Sequence, residues 1–179
     1  LRAVLNGFPV SHCAFTGPMW GINLPPIKRA AALPVSWFAE KIGMDGDYAL
    51  GANGTSYVLR TEFEDNGLTN DAEMYKYYVR QAETLTEHQL GGPSWGWLHR
   101  TLKETSRLSK VPSPNVECVT FCGLDDFVVD ISAVKRRMQL WPNGKLQLIP
   151  DAKHDLFCEV SAIRASVTET ICDFFSANR

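Results

Sequence analysis

Several things are scarce in this chain, and each absence removes a class of function. No apolar run reaches the roughly 20 residues a membrane-spanning helix needs; Pro34 and neighbouring polar residues break the longest candidate, Ala30 to Ala39. No secretory signal is visible in the sequence. Charge is nearly balanced, with 18 Lys and Arg against 20 Asp and Glu, so no general field draws the chain to nucleic acid. Lys135, Arg136 and Arg137 form the one tight basic cluster, which reads as the solvated face of a helix. The cysteines, at 13, 118, 122, 158 and 172, are odd in number and lack metal-ligand spacing. Cys118 and Cys122, four apart on a strand, would lie about 13 Å apart, beyond disulfide reach. A reducing compartment is therefore expected, and neither a metal nor another cofactor.

What is present is enough for one ordinary core. The chain has 179 residues, 45% of them hydrophobic and 21% charged, which suits one globular domain or a large piece of one. It opens on Leu1 rather than on a methionine, which points to a natural start further upstream. Leu1, Val4, Leu5 and Phe8 follow helical spacing and Gly7 suits a helix end, so the chain opens in the last turns of a helix. Ser11 to Thr16 reads as a short buried strand stopped by Gly17-Pro18. From Asn23 to about Gly92 prolines, glycines and aromatics mix with helical patches, the character of an inserted set of helices and loops. Asn70 and Glu73 fit the N-cap and N3 positions of a helix to Ala82, and Pro93 starts another that ends near Ser109. The rhythm then becomes regular: a strand Val116 to Cys122, a helix capped by Asp130, a strand Leu146 to Ile149, and a long helix Leu156 to Phe175. This alternation predicts an α/β fold with parallel strands and crossover helices.

Catalysts and ligands gather at the carboxyl ends of strands in such sheets. Asp126 follows one predicted strand and His154 the next, 28 residues later, which is enough for one crossover. A carboxylate beside an imidazole is two thirds of a hydrolytic triad: the acid fixes the tautomer and the imidazole takes a proton from a nucleophile. From spacing alone the pair could equally be a loop carboxylate and a helix-start histidine. Gly92-Pro93-Ser94-Trp95-Gly96 satisfies G-x-S-x-G literally, but no buried strand feeds it, and only 32 residues separate Ser94 from Asp126. Ser94 therefore reads as a first-turn helix residue. His12, His88 and His99 read as surface or satisfied core residues.

Gly123-Leu124-Asp125-Asp126-Phe127-Val128-Val129-Asp130 resembles the G-x-x-D-R-V-V-D segment of α/β-hydrolases of the lysophospholipase and monoacylglycerol lipase type. Ile149 to Phe157 resembles the same family's strand, loop and histidine segment. Leu68-Thr69-Asn70-Asp71, Gly91-Gly92-Pro93-Ser94 and Ile171 to Phe175 are similar to further segments of the lysophospholipase L2 branch. The resemblance implies the last three parallel strands of an α/β-hydrolase core, residues 1–22 and 110–179, with a helical cap insertion at 23–109. It implies Asp126 as triad acid and His154 as triad base, in a serine hydrolase of lipid esters such as a lysophospholipase or monoacylglycerol lipase. Met19 and Trp20, just past a strand's carboxyl end, are the expected acyl-site contacts. A lipid-like ester substrate, contact with the inner face of a membrane and a cytoplasmic location follow from the same likeness.

The sequence departs from the family pattern twice. Phe127 stands where relatives carry arginine, and no G-H-S-x-G elbow is present. The serine-bearing half of the fold is thus expected outside this sequence, and the chain by itself is expected to be inactive. The rival expectations are a general cap-bearing carboxylesterase and an inactive binding module.

Overall fold

The computed structural model describes residues 1–177. In chain order its main elements are α1 (Arg2–Leu5), β1 (His12–Thr16), α2 (Pro26–Lys41), α3 (Ala72–Thr84), α4 (Trp95–Leu108), β2 (Glu117–Gly123), α5 (Ile131–Gln139), β3 (Gly144–Ile149) and α6 (Ser161–Ala177). They form two compact units: Leu1–Asn23, Gly67–Asp71 and Arg107 onward in one, Leu24–Asn66 and Ala72–Ser106 in the other. Relative to the sequence reading, Asn23, residues 107–109 and the five residues Gly67–Asp71 group with the strands rather than with the helical insertion.

The first unit is built on a parallel sheet in the order β1-β2-β3. Its central strand is rich in β-branched and aromatic residues and is buried on both faces. Side chains alternate across a strand, and the two cores follow that period. Cys118 and Cys122 pack with Val134, Met138 and Trp141 on one face, while Val119 and Phe121 pack with Leu156 and Val167 on the other. Each such buried apolar side chain contributes on the order of 1.5–3 kcal/mol. Between β2 and β3 the chain crosses over through α5, whose first turn is capped by Asp130 Oδ1 accepting the Ala133 N–H at 3.2 Å.

Local pattern misled in three places. Arg137 is not solvated: it is 6% exposed, and its guanidinium donates to the carbonyls of Leu108 and Val111 and to Ser113 Oγ. It closes carbonyls that the end of α4 leaves open. The last long helix starts at Ser161 rather than Leu156, because Leu156–Cys158 is a 3₁₀ turn whose Cys158 carbonyl accepts from Thr69 Oγ1 at 2.6 Å. Helix α3 begins at Ala72, and the side-chain amide of Asn70 is engaged by the Asp151 carbonyl and by Glu159 instead of capping it.

The regular elements of the second unit are all helical. Helix α2 continues through Pro34 and buries only a stripe of small residues, Ser36 and Ala39. Its large side chains face outward, with Ile27 85%, Phe38 59% and Trp37 50% exposed. In α3, Tyr75 is buried and its hydroxyl donates to the Thr61 carbonyl at 2.7 Å. In α4, His99 is buried with Nε2 3.4 Å from Glu40 Oε2, and Arg100 lies 3.6 Å from both Glu40 and Asp45.

Candidate active site

Strand register brings the two sequence-predicted residues together. Cys122 pairs with Leu148 and Gly123 with Ile149, so β2 and β3 end side by side. The loops beyond them are stitched by Leu124 N–H to the Ile149 carbonyl at 2.9 Å and Asp125 N–H to the Ala152 carbonyl at 3.0 Å. Their approach requires Gly123 to lack a side chain, since a Cβ there would overlap the carbonyl oxygens of Ala152 and Lys153.

Asp126 is buried, whereas Asp125 beside it is exposed. One carboxylate oxygen, Oδ1, accepts the backbone N–H groups of Val128 at 2.8 Å and Val129 at 3.1 Å. The other, Oδ2, lies 2.8 Å from His154 Nδ1. The backbone bonds fix the plane of the carboxylate and leave Oδ2 aimed at the ring. A neutral His154 therefore carries its proton on Nδ1, with the Nε2 lone pair available as acceptor. Nε2 has no hydrogen-bond partner among the described residues. The Asp126 carboxylate raises the imidazole pKa above its ordinary value of 6.5, against burial, which works in the opposite direction.

Two further backbone segments hold the ring, and sequence reasoning missed both. Gly17, past the end of β1, has φ +49 and sits so close that a Cβ would come 3.1 Å from His154 Nδ1 and Cε1. On another side His154 N–H donates to the Gly67 carbonyl at 3.2 Å and Asp155 N–H to the Leu68 carbonyl at 2.9 Å. The Phe127 ring lies against Gly67. Gly17-Pro18 was legible as a strand stop but not as a wall for an imidazole 137 positions away. Gly67 to Asn70 carried no local signal for contact with the histidine loop.

The remaining candidates fall elsewhere. Ser94 directly precedes α4, where its Oγ accepts the Trp97 N–H at 3.2 Å, a helix-cap role. The turn before it, Thr86–His88, is 3₁₀ and feeds no nucleophile elbow. Met19 is 43% exposed, while Trp20 is 8% exposed and stacks on Trp141 at 6.1 Å, so its indole is core packing. Burial pushes the Cys122 thiol up to about 12, which makes it a neutral packing group at ordinary pH.

No protein-family model matches the chain. It is 24% identical over 169 residues to a probable lysophospholipase L2 of Haemophilus influenzae, covering 93% of this chain and 52% of that protein. The chain therefore spans about half the length of that relative. Among solved structures it is similar to a monoglyceride lipase from Saccharomyces cerevisiae, with TM-score 0.68, 15% identity and coverage of 94% and 56% of the two chains. A monoacylglycerol lipase from Paleococcus ferrophilus gives TM-score 0.70 at 10% identity over 99% and 63%. A carboxyl esterase from Bacillus coagulans gives 0.64 at 15% over 98% and 59%. At such identities the likeness establishes the fold alone: this chain has a fold similar to part of those lipases and esterases.

Proposed function

We propose that Asp126 and His154 are the acid and base of a serine ester hydrolase, whose nucleophile and oxyanion-hole donors lie outside residues 1–179. The reading is carried by the 2.8 Å contact of Asp126 Oδ2 with His154 Nδ1 at neighbouring strand ends, with Nε2 left open. In the reaction Nε2 takes the proton of the serine hydroxyl as that oxygen attacks the ester carbonyl, then returns it to the departing alcohol. Water repeats the cycle and releases the acid. Asp126 holds the tautomer and stabilises the imidazolium without itself becoming protonated.

The substrate class we infer is a single-chain lipid ester, a lysophospholipid or monoacylglycerol. The names of the similar proteins favour it. So does a groove of about 410 Å³ within the second unit, walled by Leu24, Ala31, Val35, Leu50, Trp95 and Leu98. Each methylene taken into an apolar acyl site contributes about 0.8 kcal/mol, so rates should climb with acyl length until the site is full. The outward apolar face of α2, with Lys28, Arg29 and Lys41 on the same helix, suits the surface of an anionic membrane.

Two measurements test the reading. A fluorophosphonate probe should label no serine in the 179-residue chain, yet should label one in the full-length protein. Stoichiometric labelling of Ser94 would reinstate the elbow rejected above. With p-nitrophenyl esters and lysophosphatidyl lipids, the full-length protein should prefer octanoate to acetate. A preference for acetate, or no lysophospholipid turnover, would replace the lipase reading by a general esterase.

A further inference from the structure

Glu159 is fully buried; Arg164 donates to its backbone carbonyl at 3.0 Å, but no cationic side chain among the described residues bonds its carboxylate. Its carboxylate instead collects N–H groups from three directions. Oε1 accepts the Lys153 N–H at 2.8 Å and Asn70 Nδ2 at 3.4 Å. Oε2 accepts the Asn70 N–H at 3.1 Å and the Val160 N–H at 3.2 Å. Asn70 Nδ2 also donates to the Asp151 carbonyl at 3.0 Å. Asp151 is the one non-glycine residue with positive φ among those described, at 52°. Such backbone persists only where the surroundings over-determine it. Lys153, whose N–H Glu159 holds, directly precedes His154.

The alternative is that Glu159 merely orders the entry to α6 through the Val160 N–H. One neutral acceptor would serve that purpose, and burying a carboxylate is costly unless its oxygens are well used. Here three of the four bonds go to Lys153 and Asn70, on the histidine loop and on Gly67–Asp71. That same segment receives the N–H groups of His154 and Asp155. The latch and the receiving carbonyls together set where the imidazole stands relative to Asp126.

We propose that Glu159 and Asn70 are positioning residues for His154, a latch that fixes the loop Asp151–Asp155 against Gly67–Asp71 so that Nδ1 meets Asp126 Oδ2. Its significance for turnover rests on the hydrolase reading given above, but the geometry is measurable without turnover.

The experiment compares Glu159→Gln, Asn70→Ala, Asp126→Asn and Val167→Ala in the intact protein by nitrogen-edited NMR of the His154 ring and by thermal unfolding. Val167 is a buried core residue on α6 and serves as a destabilised control. Glu159→Gln and Asn70→Ala should each lose the far-downfield Nδ1 proton and move the His154 titration down toward its ordinary value, as Asp126→Asn does. Val167→Ala should lower Tm and leave both signals in place. In the full-length protein the two latch variants should lower kcat on the order of tenfold to a hundredfold with KM nearly unchanged. If both latch variants lower Tm but keep the wild-type proton and titration, Glu159 is only structural and the proposal is overturned, with the hydrolase reading intact. If Asp126→Asn also leaves the titration unmoved, the acid–histidine pairing itself fails. Asn70→Ala removes side-chain bonds alone, so it keeps the test decisive should Glu159→Gln not fold.

Discussion

Phe121 and Phe38 are the same side chain in opposite circumstances. Phe121, at the centre of β2, is 0% exposed and packs among Val119, Leu156 and Val167. Phe38, on α2, is 59% exposed beside Trp37 and above a stripe of small buried residues. The contrast extends to polar groups. In the strand-bearing unit the buried Asp126, Arg137 and Glu159 each have several partners. In the helical unit the buried Tyr75 hydroxyl has a single such partner, and the buried Nδ1 of His99 has none among the described residues. One unit invests its sequence in fixed geometry, whereas the other presents apolar surface.

The sharpest way to break this contrast is at the acid. In the full-length protein Asp126→Asn should cost on the order of 10⁴ in kcat, while exposed Asp125→Asn should cost little. Steady-state rates with an octanoate ester decide it, and a larger loss at Asp125 would move the catalytic register by one residue.

A second comparison uses the two phenylalanines directly. Phe121→Ala should cost about 3–5 kcal/mol of stability, because it removes a large buried group and leaves a cavity. Phe38→Ala should stay within about 0.5 kcal/mol, yet weaken co-sedimentation with anionic lipid vesicles. Urea unfolding and a vesicle assay on the same preparations separate the effects. If Phe38→Ala destabilises as much as Phe121→Ala, the outward face of α2 is core rather than surface.

The smallest expected effect is in pH dependence. The Asp126 carboxylate raises the folded pKa of His154 above 6.5, so the protonated ring binds its partner more tightly in the native state. The stability this adds is complete below the ordinary histidine pKa and is lost as pH rises through the folded value. The Tm gap between wild type and Asp126→Asn should thus be wider near about pH 5.5 than near about pH 9. The opposite trend would mean that the ring is held neutral. On the proposed hydrolase reading catalysis should run the other way, since Nε2 would accept a proton only when the ring is neutral, and kcat/KM should rise with pH through the same pKa.

How much of this was legible in the sequence depends on the range of the interaction. The parallel strands, the Asp130 cap and the strand-end positions of Asp126 and His154 follow from local period and turn chemistry. Arg137 could not be placed, because what distinguishes it from exposed Arg136 is a set of carbonyls 26 to 29 residues earlier. The latch is harder still: Asn70 and Glu159 lie 89 residues apart, and no periodicity links them. Asn70 fits a helix cap by local rule, and tertiary bonding to Asp151 and Glu159 overrides that preference. Trp20 misled for a related reason. Its position past a strand end suggested a ligand wall, but Phe15 and Trp141 claim its ring for the core.

The visit of Gly67–Asp71 to the strand-bearing unit has a consequence for engineering. The chain leaves that unit after Asn23 and returns at Arg107 between two neighbouring parallel strands, which invites treating everything between as an exchangeable cassette. A cassette cut at those two points would also carry away the carbonyls that hold the histidine loop and the Asn70 side of its latch. A chimera that swaps the helices must retain these five residues at their present depth, or its histidine will stand on an unsupported loop however well the new helices pack.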